Sequence, residues 1–144
     1  MSKFAQGIFT PRHPEKYIGK GSIKYRSSWE FAFMTMLDNH PSVLQWASES
    51  IMVPYKNPLT GKQTIYVPDF FVYSQDASGA NHGDMIEIKP KKETTMEAAK
   101  SRRDQLMVVV NTAKWAAARQ FCKNHGLSFK IVTEEQLFHQ GKKK

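Results

Sequence analysis

Two short runs carry the residue types that hydrolytic metal chemistry needs. One is Pro68-Asp69-Phe70-Phe71, and the other is Ile86-Glu87-Ile88-Lys89-Pro90. In a β-strand the side chains at i and i+2 point the same way. Glu87 and Lys89 then share one face, and Ile86 and Ile88 turn to the other. If the two runs are neighbouring strands, Asp69 and Glu87 converge on a divalent cation with Lys89 beside them.

That combination suits phosphodiester hydrolysis, which faces two electrostatic problems. The attacking water must lose a proton near neutral pH, and the phosphorus centre gathers negative charge. A hard divalent cation on oxygen ligands addresses both. Two carboxylates tolerate each other when a cation sits between them, and a nearby lysine positions the water or stabilises the transition state. Simpler readings exist for each motif alone: Glu87 and Lys89 also fit a same-face ion pair on an exposed strand. Their joint occurrence on apolar runs, in a strongly basic chain, favours the site.

The elements that must position these residues are legible in outline. The spacing of Trp29, Phe33, Met36 and Leu37 predicts a helix over Arg26–Asn39. Ser27 and Glu30 fit a capping box at its start. Glu30 therefore has two readings, a helix cap or a third carboxylate aimed at the sheet. Val43 to Tyr55 and Gln63 to Tyr73 read as two strands of one hairpin around the turn at Pro58–Lys62, with Pro68 marking one-sided pairing or a bulge. Ser74 to Gly83 reads as a loop and Asp84 to Lys89 as the third strand. A helix is expected after Thr95. Leu106–Val110 is ambiguous between helix and strand, and a further helix carries Trp115, Ala118, Phe121 and Cys122, with Gly126 as its left-handed cap. A strand at Phe129–Val132 and a last turn capped from Thr133 complete the chain. The expected class is α/β, a mixed central β-sheet flanked by helices in one domain.

A net charge of +8 and a pI near 9.6 favour an acidic partner, nucleic acid before an anionic membrane. The charge concentrates in a basic N-terminal arm, residues 1–25, and in a lysine tail, residues 139–144. Phe4, Phe9, Tyr17 and Tyr25 interleave with the arm's charges, either to stack on bases or to pin the arm to the domain. Lys20, Lys24, Arg26, Lys91, Lys92 and Lys114 are the candidate DNA contacts. For Lys114 the preferred alternative is a cover over the solvent side of the Trp115 helix.

Other chemistries find little support. A single cysteine, Cys122, excludes an internal disulfide and a cysteine-cluster zinc site. The five histidines are scattered without metal-ligand spacing, although His82 and Asp84 stand just before the Glu87 strand. There is no P-loop and no dinucleotide fingerprint. Neither a signal peptide nor a membrane span is expected, and the composition suits a reducing compartment.

Taken in order, these residues resemble the PD-(D/E)xK nuclease superfamily, with Pro68-Asp69 and Glu87-x-Lys89 matching its defining elements. The fuller set, Arg26-Ser27-x-x-Glu30, Tyr66-x-Pro68-Asp69-Phe70, Glu87-Ile88-Lys89, Lys114-Trp115 and Ile131-Val132-Thr133-Glu134, resembles TnsA-like transposon endonucleases and the head completion nucleases of large tailed phages. TnsA-like members often have Gln at the position of Glu87. The resemblance runs from about Tyr25 to Phe138, with the nuclease domain at residues 26–138, and implies a restriction-endonuclease-like core with the site at one end. It implies Glu30, Asp69 and Glu87 as metal ligands, Lys89 as the catalytic lysine, and Mg²⁺ as cofactor with Mn²⁺ as substitute. It further implies DNA as substrate, phage head or portal proteins as partners, and action in the host cytoplasm during assembly or in the virion. A basic head-assembly protein with a vestigial site and a transposon endonuclease subunit are the competing readings.

Overall fold

Residues 6–137 are described by the computed structural model, and a four-stranded sheet organises them. Its strands are β3 (Val43–Ser48), β6 (Phe70–Gln75), β7 (Asn81–Ile88) and β8 (Ser128–Val132), in the spatial order β3-β6-β7-β8. The first three are antiparallel and β8 joins β7 in parallel. A parallel neighbour requires a crossover, which helix α2 (Arg102–Asn124) supplies. Helix α1 is Ser28–Asn39. Two further hairpin pairs, β1 (Gly7–Phe9) with β2 (Ile23–Tyr25) and β4 (Val53–Lys56) with β5 (Gln63–Tyr66), lie outside this sheet. Among the described residues, no helix is long and apolar enough to cross a membrane.

Alternation along the strands builds two cores, one on each face. Phe70 and Val72 of β6 and Ile86 of β7 pack with Phe33, Met34 and Leu37 of α1. Met85 of β7 packs on the opposite face with Trp115, Ala118 and Cys122 of α2 and with Val53, Tyr55 and Tyr66 of β4–β5. The expected mixed α/β architecture with helices on both faces is what forms.

Several boundaries differ from the sequence expectation, for identifiable reasons. The long hairpin divides into two pairs, β4–β5 next to the turn and β3–β6 in the main sheet. The break falls where buried Pro68 has no N–H to donate and where Glu49 takes a left-handed backbone, φ 48°. The segment read as a loop, 74–83, is largely strand closed by a tight turn. There the Asp76 carboxylate accepts the backbone N–H groups of Ser78 and Ala80 and the Ser78 hydroxyl. The three readings for 95–124 merge into the single helix α2, capped by Ser101, whose hydroxyl accepts the Asp104 N–H. The residues before it form a short 3-10 turn at Lys91–Glu93 and irregular backbone.

The basic arm, from residue 6 onward, folds against the domain. Phe9 and Ile23 belong to the α1-side core. Tyr17 meets the fully buried Trp46 edge-on at 4.7 Å, and Phe9 does so at 6.0 Å. Such ring pairs contribute about 0.5–1.5 kcal/mol beyond their area. Buried Asp38, at the end of α1, accepts the backbone N–H groups of Arg12 (2.7 Å) and His13 (3.0 Å). Lys3, Phe4, Phe138 and the lysine tail lie outside the described residues.

Removing the Asp38 carboxylate leaves those amides without their acceptor. Asp38→Ala is expected to cost about 1–3 kcal/mol. Urea denaturation measures the loss, and amide exchange should accelerate first at Arg12 and His13.

Candidate active site

Register brings the two sequence runs together. The last paired residues of β6 and β7 are Phe70 and Ile86, and one antiparallel step further sets Asp69 across from Glu87. Residues opposite one another share a face, here the face toward α2. The Ile88 N–H donates to Asp69 Oδ2 at 2.8 Å, fixing that carboxylate at the end of the ladder. The backbone of Asp69 is held from its other side, where Glu49 donates its N–H to the Asp69 carbonyl (2.9 Å). Glu87 is only 5% exposed, and both its oxygens are engaged. Tyr66 donates its hydroxyl to Oε1 at 2.7 Å, and Lys89 Nζ stands 3.6 Å from Oε2. The shared face of Glu87 and Lys89 is therefore realised.

Burial and like charge raise the proton affinity of this pair. Asp69 keeps more surface than Glu87, yet desolvation, followed by the Glu87 charge, pushes it up to about 8. Glu87 is also raised: its burial outweighs the opposing pull of Lys89, the Tyr66 hydroxyl and Lys114. Tyr66 itself is held far above the ordinary phenol range by burial and by the adjacent Glu87. The Trp115 indole lies close enough to oppose that shift, although its N–H makes no hydrogen bond of sound geometry.

Glu30 occupies the cap position read from the sequence. Its N–H donates to Ser27 Oγ at 3.1 Å, and its own carboxylate accepts the Arg26 N–H at 2.8 Å. It is still near enough to add to the charge around Asp69. Among the described residues, no three His, Cys, Asp or Glu side chains gather as a metal cage. The oxygen donors that the strand register brings together are Asp69 and Glu87. Mg²⁺ is commonly held by one or two carboxylates plus waters and substrate phosphates, so this pair of oxygen donors fits such an ion.

The candidate DNA contacts are dispersed. Lys20, Lys24 and Lys92 are exposed. Arg26 forms an ion pair with Glu49, and Lys91 one with Glu135 at 3.0 Å. Lys114 is not a solvent cover over its helix. It is half-buried, stands 5.5 Å from the centre of the Tyr66 ring, and feels the charges of Glu87, Asp69 and Lys89. Desolvation, followed by the Lys89 charge, lowers its pKa. His82 and Asp84 do not line the site. His82 pairs with Asp76 at 2.6 Å at the far turn, and Asp84 faces the α1 side, where Lys130 reaches it at 3.4 Å. Tyr66 enters the sequence reading only within the Tyr66-x-Pro68-Asp69-Phe70 motif; no spacing rule predicts its hydroxyl on Glu87.

The family described as the TnsA-like endonuclease N terminal matches residues 40–134. This chain belongs to that family. The matched span contains Tyr66, Asp69, Glu87, Lys89 and Lys114 and begins after Glu30. The chain is also similar to the head completion nuclease of Enterobacteria phage T4, 37% identical over 142 residues, covering 91% of this chain and 92% of that protein. With TnsA-like membership the activity class is endonuclease, and the mixed sheet with its flanking helices is the restriction-endonuclease-like core.

A carboxyl group with a raised pKa binds its proton more tightly in the fold than in the unfolded chain. The metal-free fold therefore loses stability as pH rises from the ordinary carboxylate range through about 8. Melting temperature in chelator should fall over that interval, and Asp69→Asn should flatten the fall. A wild-type profile parallel to that of Asp69→Asn would refute the assignment.

Proposed function

We propose that this protein is a Mg²⁺-dependent DNA endonuclease acting in head completion of a tailed phage, after packaging, in the host cytoplasm. The observation that carries the reading is Asp69 set across from Glu87 with Lys89 on the same face. The phage assignment is supported by a relative of nearly equal extent named as a head completion nuclease. A net charge of +8 suits a polyanionic substrate, drawing it in over a distance set by salt. Head or portal proteins are the partners this reading implies.

Asp69 and Glu87 would hold the divalent ion, with Mn²⁺ as a substitute for Mg²⁺. When bound, such an ion acidifies a water and offsets charge on the phosphate. The chain's own residues do the rest. Tyr66 fixes one oxygen of Glu87, so that carboxylate cannot rotate freely. Lys89, anchored to the other oxygen, presents a positive charge beside the pair and can orient the water or steady the charge that develops on phosphorus. In hydrolysis the water oxygen bonds to phosphorus and one ester P–O bond breaks. The water's proton leaves, and the departing oxygen takes one up. Glu30 enters this account as a cap whose Oε1 accepts the Arg26 N–H, leaving its second carboxylate oxygen for a ligand role.

Supercoiled plasmid should be nicked in Mg²⁺ or Mn²⁺ and left intact in chelator. Asp69→Ala, Glu87→Ala and Lys89→Ala should each reduce nicking by at least a hundredfold. Undiminished nicking by Asp69→Ala and Lys89→Ala would overturn the reading. Full infectivity of particles carrying Glu87→Ala would favour an assembly role with a vestigial site.

Glu30→Gln separates the two duties of that residue, because an amide oxygen still accepts the Arg26 N–H. Retention of stability with loss of nicking is expected for a ligand. Retention of both, with Glu30→Ala costing about 1 kcal/mol, makes it a cap alone.

A further inference from the structure

The site contains a second lysine that Glu87 and Asp69 attract without any direct ion pair among the described residues. Lys114 projects from α2, one residue before the buried Trp115 that anchors the helix on this face. Its ammonium group lies 5.5 Å from the centre of the Tyr66 ring, the same tyrosine that holds Glu87. Among the described residues Lys114 makes no ion pair within 4 Å, whereas Lys89, Lys91 and Lys130 each have a carboxylate.

Burying half of a lysine without a paired acid is unfavourable. The face of a tyrosine ring recovers part of that cost, about 0.5–2 kcal/mol. A purely structural role would be better served by an uncharged side chain over the ring. The position makes sense if a second anion arrives in use. Lys89 is already engaged by Glu87, whereas Lys114 has no carboxylate within 4 Å among the described residues and can donate fully to a ligand.

We propose that Lys114 is a phosphate-contacting residue of the active site, donating to a non-bridging oxygen of the scissile phosphate while Lys89 stays with Glu87. This rests on the endonuclease reading, and it deepens it by dividing the two lysines between two tasks. Tyr66 couples them, since its ring faces the Lys114 ammonium and its hydroxyl orients Glu87. The ligand class is a phosphodiester in a nucleic-acid backbone.

The test compares wild type with Lys114→Met and Lys114→Arg. The first removes the charge and keeps an apolar stem over the ring; the second keeps the cation. Binding of a short DNA duplex is measured in chelator across a salt series, where no cleavage occurs. Loss of one phosphate contact should reduce the slope of log affinity against log salt by about 0.9 in Lys114→Met, and Lys114→Arg should restore it. Plasmid nicking in Mg²⁺ should fall at least tenfold in kcat for Lys114→Met, with partial recovery in Lys114→Arg and unchanged melting temperatures. Equal salt slopes for wild type and Lys114→Met would overturn the proposal, even if nicking fell, because Lys114 would then act only as a support for Tyr66. If wild type fails to nick with any metal, the endonuclease reading fails, and the salt slopes still decide whether Lys114 meets a phosphate.

Discussion

The fold is arranged around a repulsion. Asp69 and Glu87 are held across from one another at the end of an antiparallel pair, in surroundings that penalise charge on both. Left to themselves two carboxylates would separate or point to water. Here each is restrained by hydrogen bonds from neighbouring groups. Ile88 donates to one, Tyr66 to the other, and Glu49 fixes the backbone that carries Asp69. Stability given up at such a spot must be recovered elsewhere. The two apolar cores on either face of the sheet, with Trp46, Met34 and Met85 fully enclosed, are where it is recovered.

The restraint on Asp69 extends to the start of α1. Arg26 bonds Glu49 through its guanidinium and donates its N–H to the Glu30 carboxylate. The cap of α1 and the backbone at Asp69 are thus linked through two residues. Glu49 adopts a left-handed backbone that a non-glycine residue seldom takes. Its N–H on Asp69 and its carboxylate on Arg26 are the compensating contacts.

Much of the site was legible because strand period and antiparallel register are simple rules. Glu87 and Lys89 on one face, Asp69 beside them and the Ser27–Glu30 cap all follow from local spacing. The division of the long hairpin did not, because Pro68 signals a break without saying which partner each half takes. The single helix α2 was read as separate pieces because its basic first turns, Arg102 and Arg103, carry no apolar stripe, and packing on the sheet decides its length. The meeting of Tyr66 with Lys114 was not legible, for a related reason. Their contact runs between a side hairpin and a crossover helix, and no periodicity within either element encodes it.

The turn at Asp76–Ala80 closes the same two strands that carry the carboxylates. Seven residue steps along β7 lead from Asn81 to Ile88, which at about 3.3 Å each puts the turn roughly 23 Å from the chemistry. It is exposed, and its own Asp76 keeps it closed without help from either core. A label, tether or inserted peptide placed there would travel with the active strands as a rigid handle. The distance from such a handle to the cut would be set by the pleat of β7 and would not depend on a linker.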